Sequence, residues 1–288
     1  MLSKDTLFPQ NYTLNCRGRL VDLSHPTVMA ILNLTPDSFY AGSRILGWSV
    51  QEVVDRAGEA LAAGATWLDL GACSTRPGAP QPEVGAELDR LLPALVAIRQ
   101  AFPEALLSVD TYRAEVVRAT HRLGVDLIND ISGGALDPEM WTAVAATKLP
   151  YVLMHMRGTP ATMQNLTDYE ELVNDIYGEL VRKVFALREL GVVDIVLDPG
   201  FGFAKTIPQN FELLRRLQEF TPMGLPLLVG LSRKSMIYRT LGVSADDALN
   251  GSSVLHAWAL ERGAKILRVH DVKPAVEAIQ LWKRLENI

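Results

Sequence analysis

Three carboxylate or carboxamide side chains stand where apolar stretches of this sequence end. They are Asp110, Asn129 and Asp198. Each alone is typical of a helix cap or a turn, but parallel strands that end at one edge would bring all three together. Grouped in this way, they could bind a planar heterocycle that carries several N–H donors. Phe201 and Phe203 follow Asp198 closely and offer apolar surface to the faces of such a ring.

Cationic side chains follow the last two apolar stretches. Lys234, Arg268 and His270 lie there, and Arg76 lies in an earlier loop that could reach them. In proteins built as a barrel of eight parallel strands, the loops after the last two strands often bind anions. Charge-assisted hydrogen bonds contribute about 1.5 to 3 kcal/mol each. Together with Asn33, these residues predict a site for phosphoryl oxygens, with Mg²⁺ as an accompanying ion. The sequence therefore predicts a two-part pocket for a heterocycle and an anion.

The composition excludes several classes of function. The chain has 288 residues and a net charge of −5, so it has no basic field that would make nucleic acid a general partner. No run of about 18 apolar residues suggests a membrane span. Cys16 and Cys73 lack the CxxC spacing of a zinc site and indicate a reducing compartment, so we expect a cytoplasmic protein.

Other potential motifs indicate little. The glycines at residues 200 and 202 lack the lysine and hydroxyl spacing of a P-loop, and no GxGxxG opens a helix after the first strand. We interpret His155 as a hydrogen-bonded structural histidine, and Cys73 as a small buried apolar residue.

Strands and helices must position these residues. Apolar stretches recur at residues 28–34, 67–70, 105–109, 125–128, 151–154, 194–197, 225–229 and 264–269, and stretches with helical periodicity at 50–63, 84–101, 113–123, 169–190, 210–220, 245–262 and 273–285. Gly64, Gly124, Gly191 and Gly263 follow helical faces, as expected for glycines that end helices. The alternation favours a single α/β domain, a (β/α)8 TIM barrel over residues 28–288, rather than two doubly wound domains.

An N-terminal extension, residues 1–27, precedes the predicted barrel. Residues 11–23 alternate around Arg17-Gly18, which predicts a short β-hairpin. Its apolar members are expected to be Leu14, Cys16, Leu20 and Leu23. We expect this hairpin to act as a lid or a plug.

Short motifs along the chain resemble, in their order, the dihydropteroate synthases, pterin-binding enzymes of the folate pathway. They are ILNLTPDSF at residues 31–39, STRPGA at 74–79, SVDT at 108–111, IND at 128–130, LMHM at 153–156, LDPGFG at 197–202, GLSRKS at 230–235 and RVHD at 268–271. Each is only moderately specific, but their joint order is very specific. The resemblance implies the TIM barrel and a transferase that joins 6-hydroxymethyl-7,8-dihydropterin diphosphate to 4-aminobenzoate and releases diphosphate.

The resemblance also implies roles for individual residues. Pterin contacts fall on Asp110, Asn129, Met154, Asp198, Phe203 and Lys234, diphosphate contacts on Asn33, Thr75, Arg268 and His270, and 4-aminobenzoate or loop contacts on Phe39, Arg76, Pro77, Phe201 and Ser232. Catalytic roles are implied for Asp110, Asp198, Lys234 and Arg268, and Mg²⁺ binding for Asn33. Family members usually form homodimers and bind sulfonamides in the 4-aminobenzoate pocket. For a dimer we expect contacts through Ala257 and Trp258, or Leu281 and Trp282.

Physical chemistry agrees with this assignment. An arylamine is a weak nucleophile, so the barrier should fall mainly through stabilisation of the departing diphosphate and of positive charge on the dihydropterin methylene. Our hypothesis is that carbon–oxygen cleavage runs well ahead of nitrogen attack and that no strong general base is required.

Two segments depart from the usual family pattern and leave alternatives open. YAGS at residues 40–43 replaces Ser-Asp-Gly-Gly, and Ala72-Cys73 replaces a glycine followed by Glu or Gln, so the closure of the loops is not predicted in detail. One alternative function is a pterin-binding methyltetrahydrofolate–corrinoid methyltransferase, which would not need the cations near residues 234 and 268. A catalytically silent pterin-binding subunit is another, and its diphosphate and Mg²⁺ residues should have decayed.

Overall fold

The fold is a closed barrel of parallel strands. A computed structural model describes residues 12–34, 49–73 and 82–286 of the chain. Its barrel has the strand order β10-β3-β4-β5-β6-β7-β8-β9, and a separate antiparallel pair, β1-β2, precedes it. Every neighbouring pair in the barrel is parallel. The predicted (β/α)8 barrel with an N-terminal hairpin is confirmed.

Strands and helices alternate along the described chain. The strands are β1 (Thr13–Cys16), β2 (Arg19–Asp22), β3 (Thr27–Asn33), β4 (Trp67–Gly71), β5 (Leu106–Asp110), β6 (Leu127–Asp130), β7 (Tyr151–Met154), β8 (Ile195–Asp198), β9 (Leu227–Val229) and β10 (Ala264–Val269). The helices are α1 (Val50–Ala62), α2 (Val84–Ala101), α3 (Ala114–His121), α4 (Met140–Thr147), α5 (Leu172–Glu189), α6 (Ile207–Arg215), α7 (Ser235–Leu241), α8 (Leu249–Glu261) and α9 (Val272–Glu286). Short 3-10 helices span Met163–Asn165 and Leu217–Met223.

Local sequence signals explain several of the helix boundaries. Ser49 and Glu52 form a capping box at the start of α1, and Thr206 and Gln209 form one at the start of α6. The four glycines predicted to end helices all have φ between 80° and 98°. Helices α4 and α7 were not among the predicted helical stretches, since each has only seven or eight residues and shows little periodicity.

The predicted helical stretch 210–220 divides into two elements. Helix α6 ends at Arg215, and a 3-10 helix then covers Leu217–Met223. Pro222 lies in this second element and has no N–H to donate to an α-helical hydrogen bond. The break shortens α6 and leaves the strand β9 to begin at Leu227.

The hairpin closes the barrel at the amino ends of its strands. Arg17 and Gly18 both have positive φ, 55° and 89°, as a two-residue turn of type I′ requires. Hairpin residues Leu14, Cys16, Val21 and Leu23 pack against one residue from each barrel strand: Met29, Trp67, Leu106, Leu127, Val152, Val196, Leu228 and Ile266. Because each of these residues is among the first three of its strand, the hairpin is a plug and not a lid over the opposite mouth.

The assignment of Leu20 to the apolar face of the hairpin was wrong. The two-residue turn sets a register in which Leu14 lies opposite Val21 and Asn15 opposite Leu20. Val21 therefore faces the barrel, while Leu20 lies on the other face and is 71 % exposed.

No helix among the described residues is long and apolar enough to span a membrane.

Candidate active site

The polar strand-end residues come together at the carboxyl mouth of the barrel. Asp110 and Asp198 are the last residues of β5 and β8, and Asn129 lies one residue before the end of β6. All three are buried. They reach the same end of the barrel because all of its strands run in the same direction.

A further carboxylate, Asp69 of β4, lies at the centre of this group and is fully buried. Its Oδ2 accepts hydrogen bonds from Arg268 Nε at 2.6 Å and from Asn129 Nδ2 at 3.0 Å. Its Oδ1 accepts one from Ser108 Oγ at 2.5 Å. The sequence analysis missed Asp69 because it lies inside an apolar stretch and not at its end. A carboxylate in the middle of such a stretch was itself a signal, since a buried charge needs partners.

Arg268 joins the two carboxylates of this group. Besides Asp69, its guanidinium binds Asp110, with Nη2 donating to Oδ2 at 2.7 Å. Burial raises the pKa of Asp110 to about 7; the Arg268 guanidinium opposes the shift and the Asp69 carboxylate adds to it. Asp110 can therefore change its charge near neutral pH, while Arg268 remains a cation.

The contact with Asp69 also fixes the orientation of Asn129. Its amide nitrogen donates to Asp69, so its carbonyl oxygen points away from that carboxylate. At this position, Asn129 offers an acceptor to a ligand and selects for an N–H donor.

Asp198 and Lys234 form the opposite wall. The Asp198 Oδ1 accepts the Gly200 N–H at 2.7 Å, and Lys234 Nζ donates to the Phe201 carbonyl oxygen. Burial raises the pKa of Asp198, and the Lys234 ammonium opposes this. Burial likewise lowers the pKa of Lys234 to about 8, against the attraction of Asp198. A buried carboxyl group and a partly buried ammonium thus face the same space.

An apolar slot adjoins this pair. Met154 and Phe203 pack in one buried cluster with Ile131, Met156 and Met163. Lys234 Nζ lies 4.8 Å from the centroid of the Phe203 ring, within the range of a cation–π contact. The slot offers flat apolar surface beside Asp198, as a planar heterocycle requires.

Phe201 does not line the slot. Its ring is fully buried in the main hydrophobic core, and only its carbonyl contacts Lys234. This differs from the expectation that Phe201 faces the second substrate. The reason is the conformation of Gly202, with φ 82°, which turns the chain so that Phe201 and Phe203 lie in different clusters.

The loops after β9 and β10 are joined to each other. Ser232 Oγ accepts the backbone N–H of His270 at 3.2 Å and lies 3.3 Å from its Nδ1. Arg233 donates to both carboxylate oxygens of Asp271, at 2.8 and 2.9 Å. Ser232 is buried, whereas His270 is exposed to solvent. These contacts place His270 beside Ser232, next to Lys234.

Five predicted residues remain. Asn33 is the last residue of β3, which pairs with β10, the strand of Arg268. Phe39, Thr75, Arg76 and Pro77 lie outside the described residues.

The donors present do not form a complete metal site. Among residues 12–34, 49–73 and 82–286, no three His, Cys, Asp or Glu side chains are grouped to hold a metal. A Mg²⁺ ion that bridges substrate phosphates needs only one or two protein ligands. Asn33, at the end of β3, would serve as the protein ligand of such an ion.

Comparison with known proteins identifies the family. The family of pterin binding enzymes matches residues 29–270. The dihydropteroate synthase of Escherichia coli K12 is 43 % identical over 270 residues, which cover 93 % of this chain and 94 % of that protein. The chain belongs to the dihydropteroate synthase family.

Solved structures of dihydropteroate synthases share the fold. The Yersinia pestis enzyme in complex with a sulfonamide drug has a TM-score of 0.90 and 40 % identity, covering 96 % of this chain and 100 % of that one. The Xanthomonas albilineans enzyme with 4-aminobenzoic acid has a TM-score of 0.89 and 36 % identity, covering 96 % and 99 %. The resemblance stated from the sequence motifs is confirmed.

Proposed function

We propose that this chain performs the dihydropteroate synthase reaction with the residues assembled at the carboxyl mouth of its barrel. The reaction joins 6-hydroxymethyl-7,8-dihydropterin diphosphate to 4-aminobenzoate, giving 7,8-dihydropteroate and diphosphate. One observation carries the proposal most directly: Arg268 is bound to Asp69 and Asp110 in the same pocket that holds Asp198 and Lys234. Acidic groups for a heterocycle and cations for its diphosphate are thus joined in one site.

The pterin end of the substrate would bind between the two walls. Asp198 and Asn129 offer acceptors to its N–H groups, and Lys234 offers a donor. Met154 and Phe203 would enclose the ring faces, since they form the buried slot beside Asp198. Asp110 adds a further carboxyl group at the edge of the ring.

The diphosphate end would bind the cations. A guanidinium has five N–H donors, and the two carboxylates take only two of those of Arg268. The others can donate to phosphoryl oxygens, together with His270 and Thr75. Mg²⁺ held by Asn33 and the diphosphate would neutralise charge on the leaving group.

The protein groups suit a reaction that develops positive charge on the substrate methylene. The bond from the methylene carbon to the diphosphate oxygen breaks first, and its electron pair leaves with the diphosphate. Asp198 and Asp110 stabilise the cationic heterocycle, while Arg268 and His270 stabilise the leaving group. The amine nitrogen of 4-aminobenzoate then forms the new bond and releases a proton to solvent, so no strong base is needed.

The second substrate would bind above this site, beside Ser232. By the family resemblance, Phe39, Arg76 and Pro77 would also contribute to this binding. Sulfonamides should compete with 4-aminobenzoate there, which an inhibition series against the amine can test.

Diphosphate release tests the reaction and its order. With both substrates, release should be fast; with pterin diphosphate alone it should be slow but measurable, because cleavage precedes attack. Release that depends completely on the amine would contradict this order. No release in either case, with pterin binding retained, would instead favour the corrinoid methyltransferase or a silent subunit.

The oligomer we propose is a homodimer. Trp258 is 51 % exposed on α8 and Leu281 is 70 % exposed on α9, and these two helices pack against each other. In sedimentation, a double change of Trp258→Glu and Leu281→Glu should give a monomer, while Leu20→Glu, at the exposed face of the hairpin, should not. A dimer that persists in the first variant would refute this contact.

We also propose that the protein works in the cytoplasm. Both Cys16 and Cys73 are free thiols, as a reducing compartment would maintain. Fractionation of cells that express the chain, followed by detection with an antibody, would test this.

A further inference from the structure

A buried lysine supports the turn that follows β8. Lys205 is almost fully buried, and its Nζ lies 3.0 Å from the carbonyl oxygens of both Gly200 and Phe203 and 3.1 Å from His155 Nδ1. Neither the sequence motifs nor the roles proposed above include it. Lys205 lies close enough to Asp198 to interact with it electrostatically, so it places a buried charge next to the proposed pterin site.

The hydrogen bonds fix the protonation of the whole group. His155 Nε2 lies 3.1 Å from Glu179 Oε2, and Arg157 holds the other oxygen of Glu179 at 2.6 and 3.0 Å. Since Glu179 is ionised, His155 donates from Nε2 and must accept at Nδ1. Lys205 then faces three acceptors, which matches the three N–H groups of an ammonium and not the two of an amine.

The titration behaviour of His155 and Glu179 agrees with this pattern, whereas burial works against the charge of Lys205. Burial, and next the Lys205 charge, lower the pKa of His155 to about 4, so the imidazole is neutral. Burial disfavours ionisation of Glu179, but hydrogen bonds from His155 and Arg157 outweigh it and lower its pKa to about 2. Burial lowers the pKa of Lys205 to about 7, while Asp198 favours its charged form.

The turn needs such support because its backbone is strained. Gly200, Gly202 and Ala204 all have positive φ, and Ala204, at 49°, is not a glycine. A Cβ at Gly200 would clash with the His155 carbonyl oxygen. Lys205 binds two carbonyl oxygens within this irregular stretch, those of Gly200 and Phe203, and so limits where the Phe203 ring can lie.

Two lysines hold the turn from opposite sides. Lys234 binds the Phe201 carbonyl from the pocket, and Lys205 binds the Gly200 and Phe203 carbonyls from within the protein. Lys234 faces the proposed pterin site and would have to serve the ligand as well. Lys205 has no such second task, since all of its donors are taken by protein atoms.

We infer that Lys205 is a positioning residue for the reaction: from beneath the Gly200–Phe203 turn it holds the Phe203 ring and the Asp198 carboxylate where a pterin can bind. The inference rests on the proposed function, because it takes the slot beside Asp198 as the pterin site. Its second effect is electrostatic, since a cation next to Asp198 favours the ionised carboxylate at this position.

Three variants separate the parts of this role. Lys205→Met removes charge and hydrogen bonds at similar size, Lys205→Arg keeps the charge but not the geometry, and Lys183→Met is the control. Lys183 is another partly buried lysine near Glu179 and makes no described bond to the turn. Titration calorimetry with pterin diphosphate between about pH 5 and 8 measures binding directly, apart from turnover.

We expect Lys205→Met to bind pterin diphosphate roughly tenfold more weakly. As the pH is lowered, the affinity of this variant should begin to fall at a higher pH than that of the wild type. The charged groups that face Asp198 are Lys234, Lys205 and Arg268, so loss of one raises the pH at which Asp198 takes up a proton. Lys205→Arg should lose affinity but keep the wild-type decline on the acid side, where Lys205 is also charged, and Lys183→Met should change neither. A folded Lys205→Met with wild-type affinity and pH dependence would overturn the inference.

A measurement on the wild type covers the case in which Lys205→Met does not fold. Nitrogen-15 NMR of the imidazoles should show His155 protonated at Nε2 and unprotonated at Nδ1 at neutral pH. A proton on Nδ1 would mean that Lys205 is not the donor, and would refute the arrangement. Diphosphate release by the wild type tests the proposed function separately, since the binding comparison does not depend on turnover.

Discussion

The two halves of the barrel interior are built from the same strands but have opposite character. At the amino ends, eight apolar residues meet the hairpin and form a closed apolar layer. At the carboxyl ends, Asp69, Asp110 and Asp198 are buried, and the partly buried Arg268 pairs with the first two. Burial of charges is costly even when they are paired, so this half keeps its polar groups at the expense of stability, and the apolar half supplies stability.

The difference arises within single strands, two residues apart. Side chains at i and i+2 face the same side of a strand. Trp67 and Asp69 therefore both point into the barrel, and so do Val196 and Asp198. In β10, Ile266 is followed by Arg268 in the same way. Each inward pair has an apolar member at the plug and a polar member at the mouth.

We expect the largest effect from a change at the carboxyl mouth of the barrel, where activity should be lost without a loss of stability. Asp198→Asn keeps the shape and an acceptor for Gly200 N–H but loses the charge, so turnover should fall on the order of 10² to 10³-fold. The melting temperature should change little, because burial already disfavours the charge of Asp198. Steady-state kinetics and calorimetry check both halves of this prediction, and near-normal turnover would remove Asp198 from its role.

At the plug we expect the reverse. Leu23 is fully buried between the hairpin and the barrel, and Leu23→Ala should lower the free energy of unfolding by about 3 kcal/mol. The kcat per folded molecule should stay at the wild-type value, since no substrate group reaches this layer. Urea unfolding and kinetics at low temperature are the measurements. A variant of normal stability with impaired kcat would show that the two halves are coupled.

The charges at the mouth predict a narrow pH optimum. Asp110 has to be ionised and its pKa is raised to about 7, so kcat/KM for pterin diphosphate should rise with pH through that value. Lys234 has to be protonated and its pKa is lowered to about 8, so kcat/KM should fall as the pH rises further. In Lys234→Arg the alkaline decline should disappear, because guanidinium stays charged. A pH profile that keeps this decline would assign it to another group.

The smallest effect is expected at the outer face of the hairpin. Leu20→Ser changes an exposed side chain, so the free energy of unfolding should change by less than about 0.5 kcal/mol. The change in the free energy of unfolding should be much smaller than for Leu23→Ala, three residues away. This comparison tests whether the plug is stabilised by the side chains that the register turns toward the barrel, and not by every apolar residue of the hairpin. A large effect of Leu20→Ser would contradict the plug geometry.

Much of this organisation was predictable because it follows from local periodicity. The barrel, the hairpin turn at Arg17-Gly18 and the strand-end acids could be derived from apolar stretches and turns. Asp69 could have been found by stepping two residues inward from Trp67. The position of the Phe201 ring could not, because it depends on backbone angles within one turn. Nor could the role of Lys205, whose partner His155 lies 50 residues away in sequence.

Because the first and last barrel strands pair with each other, the active site can form only after nearly the whole chain has been synthesised. Asp69 and Arg268 are separated by 199 positions in the chain, and β10 closes the barrel against β3. When the ribosome has synthesised Asp69 and Asp110, it has not yet synthesised Arg268, the cation that pairs with both. Until β10 has left the exit tunnel, Asp69 cannot form its ion pair with Arg268, and the seam between β3 and β10 stays open.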